Sequence, residues 1–176
     1  MLHLLAISGS LRAASTNSAL VAALALNAPE GCRVTVYDGL GRLPIFNPDD
    51  EGERTPRDAS DLIDAVTRAD GVIVSCPEYA HGVPGGLKNA LDWLVSRDAA
   101  VGKPAMLAHA SPRSLHARAA LAEIMRTMSF ALFEGGPEIA LLGKKPVEVH
   151  AILAEPEKVL AMRNALSGFA DFIRSR

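Results

Sequence analysis

Apolar and polar positions along the chain alternate between two periods. Leu2–Ile7 is an almost unbroken apolar run that stops at Ser8-Gly9, the pattern of a strand covered on both faces. From Thr16 to about Asn27 the apolar positions Leu20, Val21, Leu24 and Ala25 recur at helical spacing. Arg33–Tyr37 ("RVTVY") is rich in β-branched residues and ends at Asp38-Gly39, which predicts a second strand. Gly71–Ser75 ("GVIVS") predicts a third, apolar on both faces, and Pro104–Ala108 a fourth. Between them Leu87, Leu91, Leu94 and Val95 mark a helix, and Leu121, Ile124, Met125 and Met128 another. A fifth strand is expected between Phe130 and Leu142. After Glu155-Pro156, Val159, Leu166, Phe169 and Ile173 describe a closing helix.

The stretch "LGRLPIFNPDDEGERTP" after the second strand has three prolines and no period. It is long for a connection, and loops of that length are often functional. "TPRD" at 55–58 closes it, with Thr55 read as the N-cap, Pro56 at the first helical position and Asp58 as the capping-box acid. The helix that follows should bury Leu62, Ile63 and Val66. Five strands alternating with helices predict a doubly wound parallel sheet, because parallel neighbours need right-handed crossovers. No repeat, low-complexity segment or linker interrupts the pattern, so residues 1–176 read as one domain.

Composition narrows this little. With 49% hydrophobic and 22% charged residues the chain is ordinary for a soluble globular protein, and 5% aromatics imply an aliphatic and alanine core. A formal net charge of −2 gives no electrostatic reason to expect nucleic acid or an anionic membrane surface as a partner. No apolar run approaches a membrane span. "SALVAALALNA" resembles a signal peptide only faintly, and a cytoplasmic location is expected. Cys32 and Cys76 make no CxxC and read as free thiols.

The chemistry concentrates in two loops. "GSLRAASTN" (9–17) leaves the first strand with more hydrogen-bonding groups than a turn requires. Gly9 permits a sharp turn, Ser10, Ser15, Thr16 and Asn17 offer short polar side chains, and Arg12 offers a planar charged fork. The helix starting near Thr16 adds unpaired N–H groups and the positive end of its dipole. Together these suit a phosphate monoester. The alternative, an N-cap with incidental serines, has about even weight on composition alone, and Arg12 tips the balance toward phosphate. Neither GxxxxGK[ST] nor GxGxxG is present.

The second loop, "CPEYAHGVPGGLKNALDWL" (76–94), follows the third strand and should lie beside the first. Gly82, Gly85 and Gly86 permit close approach of a flat ligand, with Tyr79 and His81 as walls. In this order and spacing the two loops, with "LPIFNPDD" and "ADGVIVSCPEY", resemble the NADPH-dependent FMN reductases over roughly residues 2–140. That family includes quinone, azo-dye and chromate reductases. The resemblance implies a flavodoxin-like α/β fold with strand order 2-1-3-4-5 and FMN at the strand ends. By matching position, Ser10, Arg12, Ser15 and Asn17 would hold the FMN phosphate. Pro77, Glu78, Tyr79, Ala80, His81 and Gly82 would line the isoalloxazine ring, largely through backbone groups. It also implies a homodimer or homotetramer, with the helix at 85–97 helping to build the interface. Where the family commonly has a serine followed by glycines, this chain has "ASPRSLHARA". Ser111 is expected to contact flavin still, and Arg113 either narrows the nicotinamide approach or meets a 2′-phosphate.

The implied activity is transfer of hydride from NADPH, with NADH as an alternative, through bound FMN to quinones, similar small electrophiles or free flavin, with ping-pong kinetics. Because the cofactor carries the chemistry, no side chain is nominated as catalytic. The rivals are a flavodoxin-like electron carrier and a flavin-binding regulatory protein without turnover. The near-neutral charge and glycine-rich second loop weigh against the carrier. His3, His81, His109, His116 and His150 show no HxxxH spacing, so no metal site is expected, and no G-x-S-x-G elbow suggests a hydrolase. Glu78 reads as an anchor, Lys88 and Asp92 as a surface pair, Trp93 as packing and Cys76 as buried.

Overall fold

The computed structural model describes residues 1–176. Five strands, β1 (Leu2–Ser8), β2 (Cys32–Tyr37), β3 (Gly71–Ser75), β4 (Pro104–Ala108) and β5 (Ala131–Phe133), form one sheet. Its order is β2-β1-β3-β4-β5 and every pairing is parallel. β1 and β3 are therefore central, with Leu5 opposite Thr35 on one side and Val72 on the other. The order reverses between them, which opens a crevice beyond their carboxyl ends.

The continuous apolar runs have a direct reading in the packing. Successive side chains point to opposite faces, and each face carries its own layer of helices. Leu5, Ile7, Val72, Val74 and Ala105 pack with residues of α2 (Arg57–Arg68), α3 (Gly85–Asp92) and α4 (Leu115–Thr127). Leu4, Ala6, Ile73, Met106 and Ala108 pack with α1 (Thr16–Leu26), α5 (Pro146–Leu153) and α6 (Pro156–Arg174). This is the doubly wound arrangement the alternation predicts.

Some local expectations change. Thr55 does not cap α2: its hydroxyl donates to the Gly52 carbonyl at 2.9 Å, and Pro56 takes the N-cap position without a side-chain bond. Ile63 is only half-buried, whereas Leu62 and Val66 are fully enclosed. The α3 helix ends at Asp92, and Val95 lies exposed beyond it. α5 has no counterpart in the pattern read from the sequence.

The long connection 40–56 contains three short 3₁₀ turns and serves as a strap over α3. Asn89 accepts from the Phe46 N–H (2.8 Å) and donates to the Pro44 carbonyl (2.9 Å). Trp93, fully buried, donates to the same carbonyl at 2.9 Å and meets Phe46 edge-on at 5.0 Å. Its packing role is borne out, and the strap holds α3 under the second loop.

Candidate functional site

At the carboxyl ends of β1, β3 and β4 the chain opens into a cleft of about 540 Å³. Four segments wall it: the β1–α1 loop, the loop after β3, the loop after β4 and the segment before α5.

The β1–α1 loop is pinned by its own serines. Gly9 N–H donates to the Ser75 carbonyl at 2.8 Å, coupling the ends of β1 and β3. A Cβ at Gly9 would come within 2.8 Å of Leu87 Cδ2, so any larger residue there requires the end of that α3 side chain to move. Ser8 Oγ shares a 2.9 Å bond with Ser18 Oγ, and Ser10 Oγ accepts from the Arg12 N–H at 3.3 Å. Ser15 caps α1 by accepting from the Ser18 N–H at 3.3 Å. The backbone N–H groups of Ala13, Ala14, Ser15, Thr16 and Asn17 have no acceptor in the protein. Such a run at the positive end of a helix is a nest for an anion. Asn17 is buried and accepts from the Ser75 hydroxyl at 2.9 Å, which leaves its amide N–H₂ without a protein acceptor. The Arg12 guanidinium has neither an ion-pair nor a hydrogen-bond partner.

The loop after β3 forms a two-residue hairpin. Tyr79 and Gly82 exchange both backbone hydrogen bonds, at 3.2 and 2.9 Å. Ala80 and His81 between them both have positive φ, 48° and 58°. The N–H groups of Tyr79 and Gly82 are therefore spent on the turn, and those of Ala80 and His81 stay free for a ligand. Glu78 reaches away: its carboxylate accepts from the Ala117 N–H in the first turn of α4 at 2.9 Å. It neutralises that helix terminus and fixes the hairpin's base. The His81 ring stacks on His116 of α4 at 4.4 Å between centroids. Cys76 donates to the Pro77 carbonyl (3.1 Å), and burial, with the charge of Glu78, pushes its thiol up to about 12, which favours the protonated form.

The loop after β4 brings Ala110, Ser111, Arg113 and Ser114 to the cleft. Ser111, buried, accepts from the Arg113 N–H at 3.1 Å, and its carbonyl accepts from Arg118 at 3.5 Å. Arg118 is held in turn by Glu138 at 2.6 Å.

Ser10, Arg12, Ser15, Asn17, Pro77, Glu78, Tyr79, His81 and Ser111 thus share one cleft. Ala80 and Gly82 are not part of its wall: the first sits at the hairpin tip and the second closes the turn. Sequence reasoning missed Leu142, Gly143, Lys144 and Pro146. They arrive because residues 137–141 run beside the end of β4, with His109 N–H donating to the Pro137 carbonyl and Leu141 N–H to the Ala110 carbonyl, at 2.8 and 3.0 Å. The only sequence signal for them is Gly143 followed by two lysines and a proline. Arg12, Arg113 and Lys144, all without acidic partners, face one carboxylate already committed to α4, so the cleft is electropositive.

The family model for NADPH-dependent FMN reductase matches residues 2–136. The quinone reductase of Escherichia coli (strain K12) is 34% identical over 109 residues, which cover 60% of this chain and 58% of that protein. The NADH:(hydroxy)cinnamate reductase subunit CrdA of Vibrio ruber is 30% identical over 140 residues, covering 79% of this chain and 65% of that protein. The matches thus span under two thirds of these relatives' own length. Among solved structures, a flavoenzyme NAD(P)H:(acceptor) oxidoreductase from Paracoccus denitrificans superimposes with a TM-score of 0.81 at 23% identity, covering 99% of this chain and 98% of that one.

Proposed function

This chain belongs to the NADPH-dependent FMN reductase family, and on that premise we propose that it is an FMN-dependent NAD(P)H oxidoreductase acting on quinones or similar small electrophiles. The observation that carries the reading is the run of unpartnered N–H groups at 13–17 beside the unpaired Arg12. A phosphate monoester would satisfy donors of this run, and Tyr79 and His81 of the hairpin border the same cleft, where the attached ring would lie. Bound FMN supplies hydride transfer from a reduced nicotinamide to the acceptor. Ser15 and Asn17 orient the phosphate end by fixing the first turn of α1. The Ala80 and His81 N–H groups offer donors for the ring's polar edge, and Glu78 at the base of their hairpin is held by the start of α4. Donors fixed in advance stabilise negative charge developing there without reorganisation. Glu78, locked onto Ala117, is a positioning group and no acid or base. The open cleft admits nicotinamide and acceptor in turn, so ping-pong kinetics are expected. Assembly as a dimer or tetramer belongs to the same proposal and is tested by light scattering.

The deciding experiment is an anaerobic visible spectrum of the protein with FMN, before and after NADPH or NADH, followed by a benzoquinone. Rapid bleaching and return of colour on adding quinone support the reading. Flavin that binds and resists both nucleotides points to a carrier or regulator. No flavin binding overturns the assignment of both loops.

A further inference from the structure

A second cavity of about 450 Å³ lies between the start of α1 and the start of α5. It shares Ala14, Ser15, Thr16, Lys144 and Pro146 with the cleft, and the rest of its wall is Ala13, Ser18, Ala19, Val149 and His150. Three of the residues common to both cavities, Ala14, Ser15 and Thr16, carry unpartnered N–H groups of the anion nest. A path from one cavity to the other therefore passes the place where a phosphate would sit. Both volumes lie within the range of small-molecule sites.

We propose that this second cavity receives the adenylate half of a flavin dinucleotide, so that the protein binds FAD as well as FMN; the proposal rests on the flavin reading of the cleft. Arg12 and five N–H groups already suffice for one phosphate. Lys144 is a further cation, lining both cavities without an acidic partner, and matches the second phosphate of a pyrophosphate. The three alanines, Pro146 and Val149 give the second cavity an apolar lining, on which a purine face would pack. The Ser18 hydroxyl, the Thr16 hydroxyl and the His150 ring add polar groups for ring nitrogens and ribose hydroxyls. Small side chains at 13, 14 and 19 are what keep the cavity open.

The test is calorimetric titration of flavin-free protein with FMN and with FAD, for the wild type, Ala19→Leu and His150→Glu. Neither substituted residue lines the flavin cleft. Ala19→Leu fills the cavity, and His150→Glu sets a carboxylate against the adenylate without touching the core, so it serves if the first variant folds poorly. The expected result is FAD and FMN binding within about fivefold of each other in the wild type, with FAD at least tenfold weaker in the variants and FMN within twofold. Wild-type protein that binds FMN and holds FAD a hundredfold more weakly overturns the proposal and leaves the FMN reading intact. FAD binding untouched by both variants overturns it too, since the adenylate would then lie in solvent. Failure to bind either flavin removes the proposal together with the FMN reading.

Discussion

Arg12 is the residue at which a single atom group separates two explanations of the first loop. If the loop were only a capped helix start, its guanidinium would contribute nothing, because it contacts no protein group. As a phosphate ligand it makes a charge-assisted hydrogen bond worth roughly 1.5–3 kcal/mol. Arg12→Ala is therefore expected to weaken FMN about 10- to 100-fold and to leave riboflavin, which lacks the phosphate, within about twofold. Fluorescence titration with both flavins checks this, and equal losses for both would return the loop to a structural role. Arg12, Ser15 and Asn17 were legible in the sequence because they are close in the chain and sit where a strand meets a helix. Lys144 was not, because it reaches the same cleft through a register of backbone bonds between 137–141 and the end of β4. No local pattern encodes that pairing.

Among the elements, the hairpin at 79–82 is where local preference and structure disagree most. Turns with two consecutive left-handed residues favour Asn-Gly, and this chain places Ala80 and His81 there at φ 48° and 58°. The glycines that the sequence offered for unusual angles, Gly82, Gly85 and Gly86, all keep negative φ. Each left-handed non-glycine residue costs about 1 kcal/mol, held here by the Tyr79–Gly82 bonds and the anchor from Glu78 to α4. The double variant Ala80→Asn, His81→Gly is expected to stabilise the fold by about 1 kcal/mol in urea unfolding. It keeps both free N–H groups, so any loss of FMN affinity should come from the missing His81 side chain in the cleft wall and stay smaller than that of His81→Pro. His81→Pro, which removes an N–H and forbids the angle, is expected to cost at least tenfold in FMN affinity. If His81→Pro binds FMN normally, the hairpin does not contact the ring. The alternation of strand and helix was legible because the central apolar runs of β1 and β3 are covered on both sides. The eight-residue α5 was not, since it buries only Val149 and Leu153 and exposes Val147, which blurs its period.

For the molecule as a whole, the edge of the sheet beyond the cleft sets how stability follows pH. His109 directly follows β4, pairs through its backbone with Pro137 and Ile139, and lies among Arg118 and Glu138. Burial, and then the positive charge of Arg118, push its imidazole down to about 4, against the opposing pull of Glu138. The folded chain thus refuses a proton that the unfolded chain accepts once pH drops below the ordinary value of 6.5. Stability from this residue is complete above that value, falls as pH is lowered toward 4, and changes no further below it. With a discount for partial exposure, the loss between pH 7 and pH 5 is roughly 1 kcal/mol. Urea unfolding at the two pH values should show that loss in the wild type, and His109→Gln should remove most of it while leaving the carboxylate contribution. The same region carries Gly136, where any Cβ would overlap the Leu107 carbonyl oxygen. Gly136→Ala is expected to push residues 137–141 off β4, and with them the segment that delivers Lys144 to the cleft. A pH dependence unchanged by His109→Gln would mean that the imidazole takes its proton in the folded state as readily as in the unfolded one, through opening of this edge.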